Sequence, residues 1–263
     1  MRIALPLAFA VSLCAAAYGE DTSAALPPKT SSWSFNGVTG TYDRGALQRG
    51  FQVYKEVCSA CHSLNLVSFN DLSAPGGPGF SAAQAKAIAA GYKIPAEPND
   101  KGETMDPNGT RLTRAGILAD HFPPPFPNEQ AARASNGGAL PPDLSLIEKA
   151  RAGGPDYVYS ILTGFAHKPP KGFKLMSGKY YNPYFPGRNI SMPPPLTDGS
   201  VSFADGTPNK VAQEAHDVVT FLAWASEPKL EERHRTGFAV IAFLLLFSGL
   251  LFLAYRKIWK DQH

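Results

Sequence analysis

The sequence predicts a mainly α fold: a small helical domain wrapped by long proline- and glycine-rich loops, followed by a single C-terminal transmembrane helix. Three observations carry this. Apolar residues recur at helical spacing in several short stretches, with little strand alternation between them. The 24 glycines and 24 prolines make about 18% of the 263 residues, against a usual combined share of about 12%, and most of the excess lies between Pro75 and Pro208. Finally, "TGFAVIAFLLLFSGLLFLAY", Thr236 to Tyr255, runs 20 residues without a charge.

In chain order, Asp43 to Val57 reads as a helix with Leu47, Phe51, Tyr54 and Cys58 on one face. Ser81 to Ala90 is a short alanine-rich helix, and the "HFPPPFP" that ends the next section excludes regular structure there. Pro155 to Phe165 opens with proline in the first turn and meets Gly164 at its end. Pro169 to Asp205 is expected to be loop. Val211 to Ser226 places Val211, Ala215, Val218, Val219 and Leu222 on one side and is closed by Pro228, with residues 227–235 as a link to the apolar span.

At 1.5 Å per residue the uncharged 20 residues cover about 30 Å, the thickness of a hydrocarbon core. "RHR" and "RKIWK" flank the span, and Tyr255 and Trp259 suit an interface. The tail carries Arg256, Lys257 and Lys260, so the positive-inside rule puts the C-terminus in the cytoplasm. Met1-Arg2 followed by "IALPLAFAVSLCAAA" has the build of an export signal, with cleavage expected between Ala15 and Glu20. Bulky Leu13 before Cys14 departs from a lipoprotein site. The expected organisation is a signal over residues 1–20, an exported domain over 21–232, an anchor with its flanks over 233–258 and a cytoplasmic tail over 259–263.

Between Asp21 and Glu232 there are 19 Lys and Arg against 20 Asp and Glu, a net of −1, so the overall charge of +3 comes from the ends. No basic stripe with interleaved aromatics marks a nucleic-acid binder.

Chemistry concentrates in "EVCSACHSLN", residues 56–65. A structural zinc site needs about four ligands, and His121, His167 and His216 form no short-spaced pair that would complete one. A thioredoxin-type dithiol belongs to a βαβ context that this chain lacks. A plain disulfide across two residues closes too short a loop to stabilise much, and leaves His62 unexplained. Covalent haem attachment uses all three residues: Cys58 and Cys61 add to two vinyl groups of one porphyrin edge, and the adjacent His62 coordinates the iron. For the sixth ligand the candidates are Met105, Met176, Met192 and the histidines. Met192 leads because "NISMPPPL" follows it with three stiffening prolines. A His/Met pair closes the iron to small ligands and raises its potential, which points to electron transfer. Arg133 is one candidate for a haem propionate, although an arginine in such a stretch is ordinarily solvated.

"RGFQVYKEVCSACH", "NGGALPPDLS", "RAGGPDYVYSILTGF", "YYNPYFPGRNISMPPPL", "FLAWASEPKL" and the apolar span, in that order, resemble the cytochrome c1 family, and its compact alphaproteobacterial form in particular. The resemblance covers residues 41–259 and implies a c-type cytochrome fold around one haem c. It implies attachment through Cys58 and Cys61, axial ligands His62 and Met192, a propionate contact from Arg133, and Tyr54, Asn136, Ala139, Leu140 and Pro141 along the haem pocket. It also implies a dimeric bc1 complex in which cytochrome b, a Rieske iron-sulfur protein as donor and a soluble cytochrome c as acceptor are the partners, and in which the chain by itself turns over no substrate. The chain lacks the extra cysteine pair of some bacterial relatives and the dense acidic segment that aids docking in mitochondrial ones; the net −1 and two propionates still favour a basic acceptor. A membrane-anchored cytochrome feeding a terminal oxidase or a photosynthetic reaction centre would share the haem and the anchor, and a haem peroxidase or gas sensor would need an open sixth position.

Overall fold

The computed structural model describes residues 24–165 and 167–260; the export signal expected over residues 1–20 lies outside them. The domain is built on two crossed helices, α1 (Arg44–Glu56) and α5 (Val211–Ser226). Asp43 caps α1 by accepting a hydrogen bond from the Ala46 amide at 3.1 Å, and the helix buries Leu47, Gly50, Phe51, Val53 and Tyr54. The crossing is close because Gly50 has no side chain: a Cβ there would lie 2.0 Å from the carbonyl oxygen of Asp217 on α5. One residue before it, Arg49 donates to the buried Asp217 carboxylate through Nε at 2.7 Å and Nη2 at 3.2 Å, and to Asp205 at 2.8 Å. These carboxylates hold the Arg49 guanidinium well above its ordinary pKa, against the opposing effect of burial.

The rings of Phe51 and Tyr54 pack edge-on or tilted against Phe221 at 5.7 and 5.9 Å and against Phe122 at 6.1 and 6.0 Å. Offset contacts of this kind add to the burial of apolar area. α2 (Ala82–Ala90) is capped by Ser81 and Gln84 reciprocally and sets Ala85 and Ala89 into the same core. α4 (Gly154–Gly164) packs on α5. The chain before α1 is tied to α4: Ser160 Oγ accepts from the Lys29 amide at 2.7 Å, and Asp156 accepts from Trp33 Nε1 at 2.7 Å.

Among the described residues strands are confined to two small antiparallel ribbons, β1 (Lys93–Pro95) with β2 (Thr113–Ala115) and β3 (Tyr180–Tyr181) with β4 (Asn189–Ile190), the second inside the stretch expected to be loop. A further helix, to which the sequence pattern assigned no element, is α3 (Glu129–Ser135), seven residues capped by the Asn128 side chain.

The link expected over residues 227–235 is mostly helix. Only Glu227 to Lys229 separate α5 from α6 (Leu230–Trp259), whose 30 residues run unbroken into the apolar stretch. No glycine or proline interrupts residues 230–236, and Glu231 and Glu232 in the first turn complement the helix dipole. α6 is about 45 Å long. Past the charged residues 231–235 it is apolar, it is exposed from Phe238 onward, and it is long enough to cross a membrane.

Candidate functional site

α1 ends where the cysteines begin. A 3-10 turn, Cys58–Ala60, follows it directly, and the Cys58 carbonyl accepts from the amides of both Cys61 at 3.1 Å and His62 at 2.9 Å. Both cysteines are free thiols, Cys58 partly buried and Cys61 exposed. Burial pushes the Cys58 thiol up to about 12. Among the described residues no group of three or more His, Cys, Asp and Glu is placed to hold a metal ion by itself.

His62 is held by a backbone acceptor. Its Nδ1 lies 2.8 Å from the carbonyl oxygen of Pro142, so Nδ1 carries the proton and Nε2 is left as the free lone pair. Burial lowers the pKa of the ring, partly opposed by the Pro142 carbonyl and Asp143, which favours the neutral, metal-binding form. The two segments are stitched further: the Leu144 amide donates to the Ser63 carbonyl at 2.9 Å and the Asn65 amide to the Asp143 carboxylate at 2.8 Å. Burial pushes the Asp143 carboxyl up, but hydrogen bonds from Asn65, Ser145 and Ser63 outweigh it and leave the pKa below the usual range. Tyr54, one turn before the cysteines, is buried, with its hydroxyl 3.4 Å from the His62 carbonyl oxygen.

The loop that supplies Pro142 also carries Asn136, Ala139, Leu140 and Pro141. Asn136 ends α3, its side chain donating to the Ala132 carbonyl at 2.7 Å, and Ala139 returns a bond to the Asn136 carbonyl at 3.1 Å. Gly137 and Gly138 at φ of 58° and 87° make the turn, a backbone state costly to other residues. Leu140 remains 36% exposed, a large apolar side chain left open on the loop that grips His62. Arg133 is exposed in the last turn of α3, and its Nη1 donates to the Gly138 carbonyl at 3.3 Å.

Met192 sits in a second, smaller apolar cluster, partly buried against Ile161, Tyr184 and Ile190. Asn182, fully buried, secures that cluster to α4 by donating to the Ile161 carbonyl at 2.8 Å while its side-chain oxygen accepts from the Tyr184 amide at 3.1 Å. The fold thus brings Tyr54, Cys58, Cys61, His62 and the 136–142 loop together and mounts Met192 on a separate support. The sequence reading missed two contributors, the Pro142 carbonyl and Asn182. The first has no side-chain signature; the second was visible only as an asparagine before a proline in "YYNPY".

Two thiols three residues apart, a neutral imidazole with one nitrogen free and a thioether on a stiffened segment form a donor set that suits a covalently attached haem. A family model described as the Cytochrome C1 family matches residues 33–262. The chain is 50% identical over 254 residues to "Cytochrome b/c1" of Bradyrhizobium diazoefficiens, covering 90% of this chain but 36% of that protein. It is 46% identical over 244 residues to "Cytochrome c1" of Rhodospirillum rubrum, covering 87% of this chain and 86% of that one. With "Cytochrome c1 1, heme protein, mitochondrial" of Arabidopsis thaliana it shares 44% over 248 residues, 94% of this chain and 77% of the relative. By that match along nearly its whole length, the chain belongs to the cytochrome c1 family, the membrane-anchored, haem-carrying electron-transfer subunits of bc1 complexes.

Proposed function

We propose that the chain carries one haem c on thioether bonds from Cys58 and Cys61, with His62 Nε2 and the Met192 sulfur as axial ligands, and relays single electrons from a Rieske iron-sulfur protein to a soluble c-type cytochrome. The observation that carries this is the 2.8 Å contact between His62 Nδ1 and the Pro142 carbonyl, which puts the ring proton on Nδ1 and leaves Nε2 with its lone pair for a metal. The haem, when bound, supplies a one-electron iron couple whose potential the ligands set.

The chain's own residues do the positioning. Pro142 fixes the imidazole tautomer, and Tyr54 supports the His62 carbonyl. Pro193, Pro194 and Pro195 stiffen the backbone after Met192, so the thioether loses little entropy on ligation. Arg133 makes one bond to its own loop and presents the rest of its guanidinium outward, as a propionate partner requires. Asn136, Ala139, Leu140 and Pro141 line the pocket in this reading.

The haem domain, residues 21–232, lies on the periplasmic side, the anchor over 233–258 crosses the inner membrane, and residues 259–263 are cytoplasmic. Cytochrome b and the Rieske protein are partners in a dimeric complex that acts as a quinol:cytochrome c oxidoreductase; alone, the subunit turns over no substrate. The test is purification of a tagged chain from detergent-solubilised membranes with haem spectroscopy. Recovery of b-type haem and a Rieske cluster with the covalent haem is expected, and recovery of the c-type haem alone would overturn the assignment.

A further inference from the structure

The charge of the domain is divided by segment. Between Asp156 and Asp198 there is no acidic residue, while Lys168, Lys171, Lys174, Lys179 and Arg188 all fall there, in the stretch that carries Met192. Lys168, Lys171 and Lys174 are exposed on the loop after α4, and among the described residues none of them meets a carboxylate. Beside them Leu175 and Met176 are 45% and 58% exposed.

This loop is held in place. Phe173 packs edge-on against Tyr181 at 5.0 Å, the Met176 amide donates to Asn189 Oδ1 at 3.0 Å, and Lys179 Nζ donates to Ser191 Oγ at 2.5 Å. Ser191 directly precedes Met192, so the basic loop is attached to the ligand segment itself. Two adjacent exposed apolar side chains on a loop that also carries four lysines, with a backbone ordered beforehand, match the anatomy of a protein-docking patch.

The field that an approaching partner feels is set by charges within about 8 Å at physiological salt, the Debye length, and not by the domain's net −1. Four lysines on a loop bonded to the Met192 segment repel a basic partner and attract a carboxylate-bearing one. The bilayer surface is the other anionic candidate, but the loop leaves the end of α4 opposite to the anchor. The other end follows the segment whose Lys149 pairs with Glu227 at the α5–α6 junction, and α4 is about 16 Å long.

We infer that the loop over residues 167–179 is the docking surface for a soluble redox protein with an acidic face, contrary to the basic acceptor that net charge favours. The inference rests on the relay reading above. The test uses the detergent-solubilised complex containing this chain, reduced with quinol. It is mixed with a basic cytochrome c or with the same cytochrome after succinylation of its lysines, and haem oxidation is followed against salt concentration. The succinylated probe should react faster at low salt and slow about tenfold as salt rises. A Lys168→Glu/Lys171→Glu/Lys174→Glu variant should lose that dependence, while Lys86→Glu/Lys93→Glu/Lys101→Glu, an equal change of net charge elsewhere, should keep it. Unchanged salt dependence in the first variant, an equal loss in the second, or a lysine effect that requires anionic lipid in nanodiscs overturns the docking surface. If the intact complex reduces neither probe, the relay reading falls and the docking surface with it. If it reduces both and the three lysines are silent, only the docking surface falls.

Discussion

His62 Nδ1 stands 2.8 Å from the carbonyl oxygen of Pro142, eighty residues further along the chain. A backbone acceptor cannot be removed by changing its side chain, so the tautomer is determined by the path of the 136–144 loop. Under the proposed ligation by His62, shifting the loop should therefore act on the iron without touching a ligand. Gly138→Val, at a φ of 87°, forces the turn to change, and we expect a weaker His62 bond. The measurement is haem stability towards carbon monoxide and mild acid. A variant as resistant as the parent would contradict the role given to the loop.

Gly50 is the contact point of α1 and α5. A methyl group placed 2.0 Å from a backbone oxygen cannot be absorbed by rotation of a side chain, so Gly50→Ala should separate the helices. Overpacking of this kind costs about 1–3 kcal/mol. For a domain of this size that lowers Tm by about 2–4 °C per kcal/mol, measured in detergent by loss of the haem band.

Arg49 and Asp217 should show the asymmetry of buried ion pairs. Asp217 has no exposed side-chain surface, and without Arg49 its described side-chain partner is Gln213 at 3.0 Å. Arg49→Met should cost about 3–5 kcal/mol by stranding the carboxylate. The double variant with Asp217→Leu should recover part of that loss. Equal melting temperatures for the single and double variants would refute the argument.

Glu148 makes stability depend on pH. It is 6% exposed, its Oε1 has no partner among the described residues, and burial holds its pKa well above the ordinary 4.5. The folded state therefore binds the proton more tightly than the unfolded chain. That contribution is complete below 4.5 and is lost as pH rises towards the folded value. Glu148→Gln should lose less stability than the parent between about pH 5 and about pH 8. Melts at the two pH values check this, and parallel curves would contradict it.

Much of this was legible in the sequence, for reasons that separate local from non-local information. α1, α2, α4 and α5 carried caps or periodic apolar faces, and each formed within about a residue of its expected limits. α3 escaped because seven residues rich in alanine show no period, and its cap came from an asparagine after a proline-rich run. The early start of α6 escaped because charged residues 231–235 look like a linker, although nothing there breaks a helix. The cysteine motif was readable because its three residues are adjacent. Pro142 was not, because a carbonyl acceptor depends on where a distant loop returns. Arg133 stands at a helix end and not in a loop, which leaves its guanidinium exposed as the sequence alone had suggested.

The central claim is that His62 and Met192 close the iron of a covalently attached haem. The most direct test is redox titration of the intact complex beside Met192→Leu, with carbon monoxide added to each reduced form. We predict that the parent does not bind carbon monoxide. The variant should keep its covalent haem, bind the gas, and show a potential lower by about 0.2 V, within the roughly 0.8 V range that axial ligands command. An unchanged potential in the variant, or a five-coordinate ferrous haem in the parent, would contradict the account.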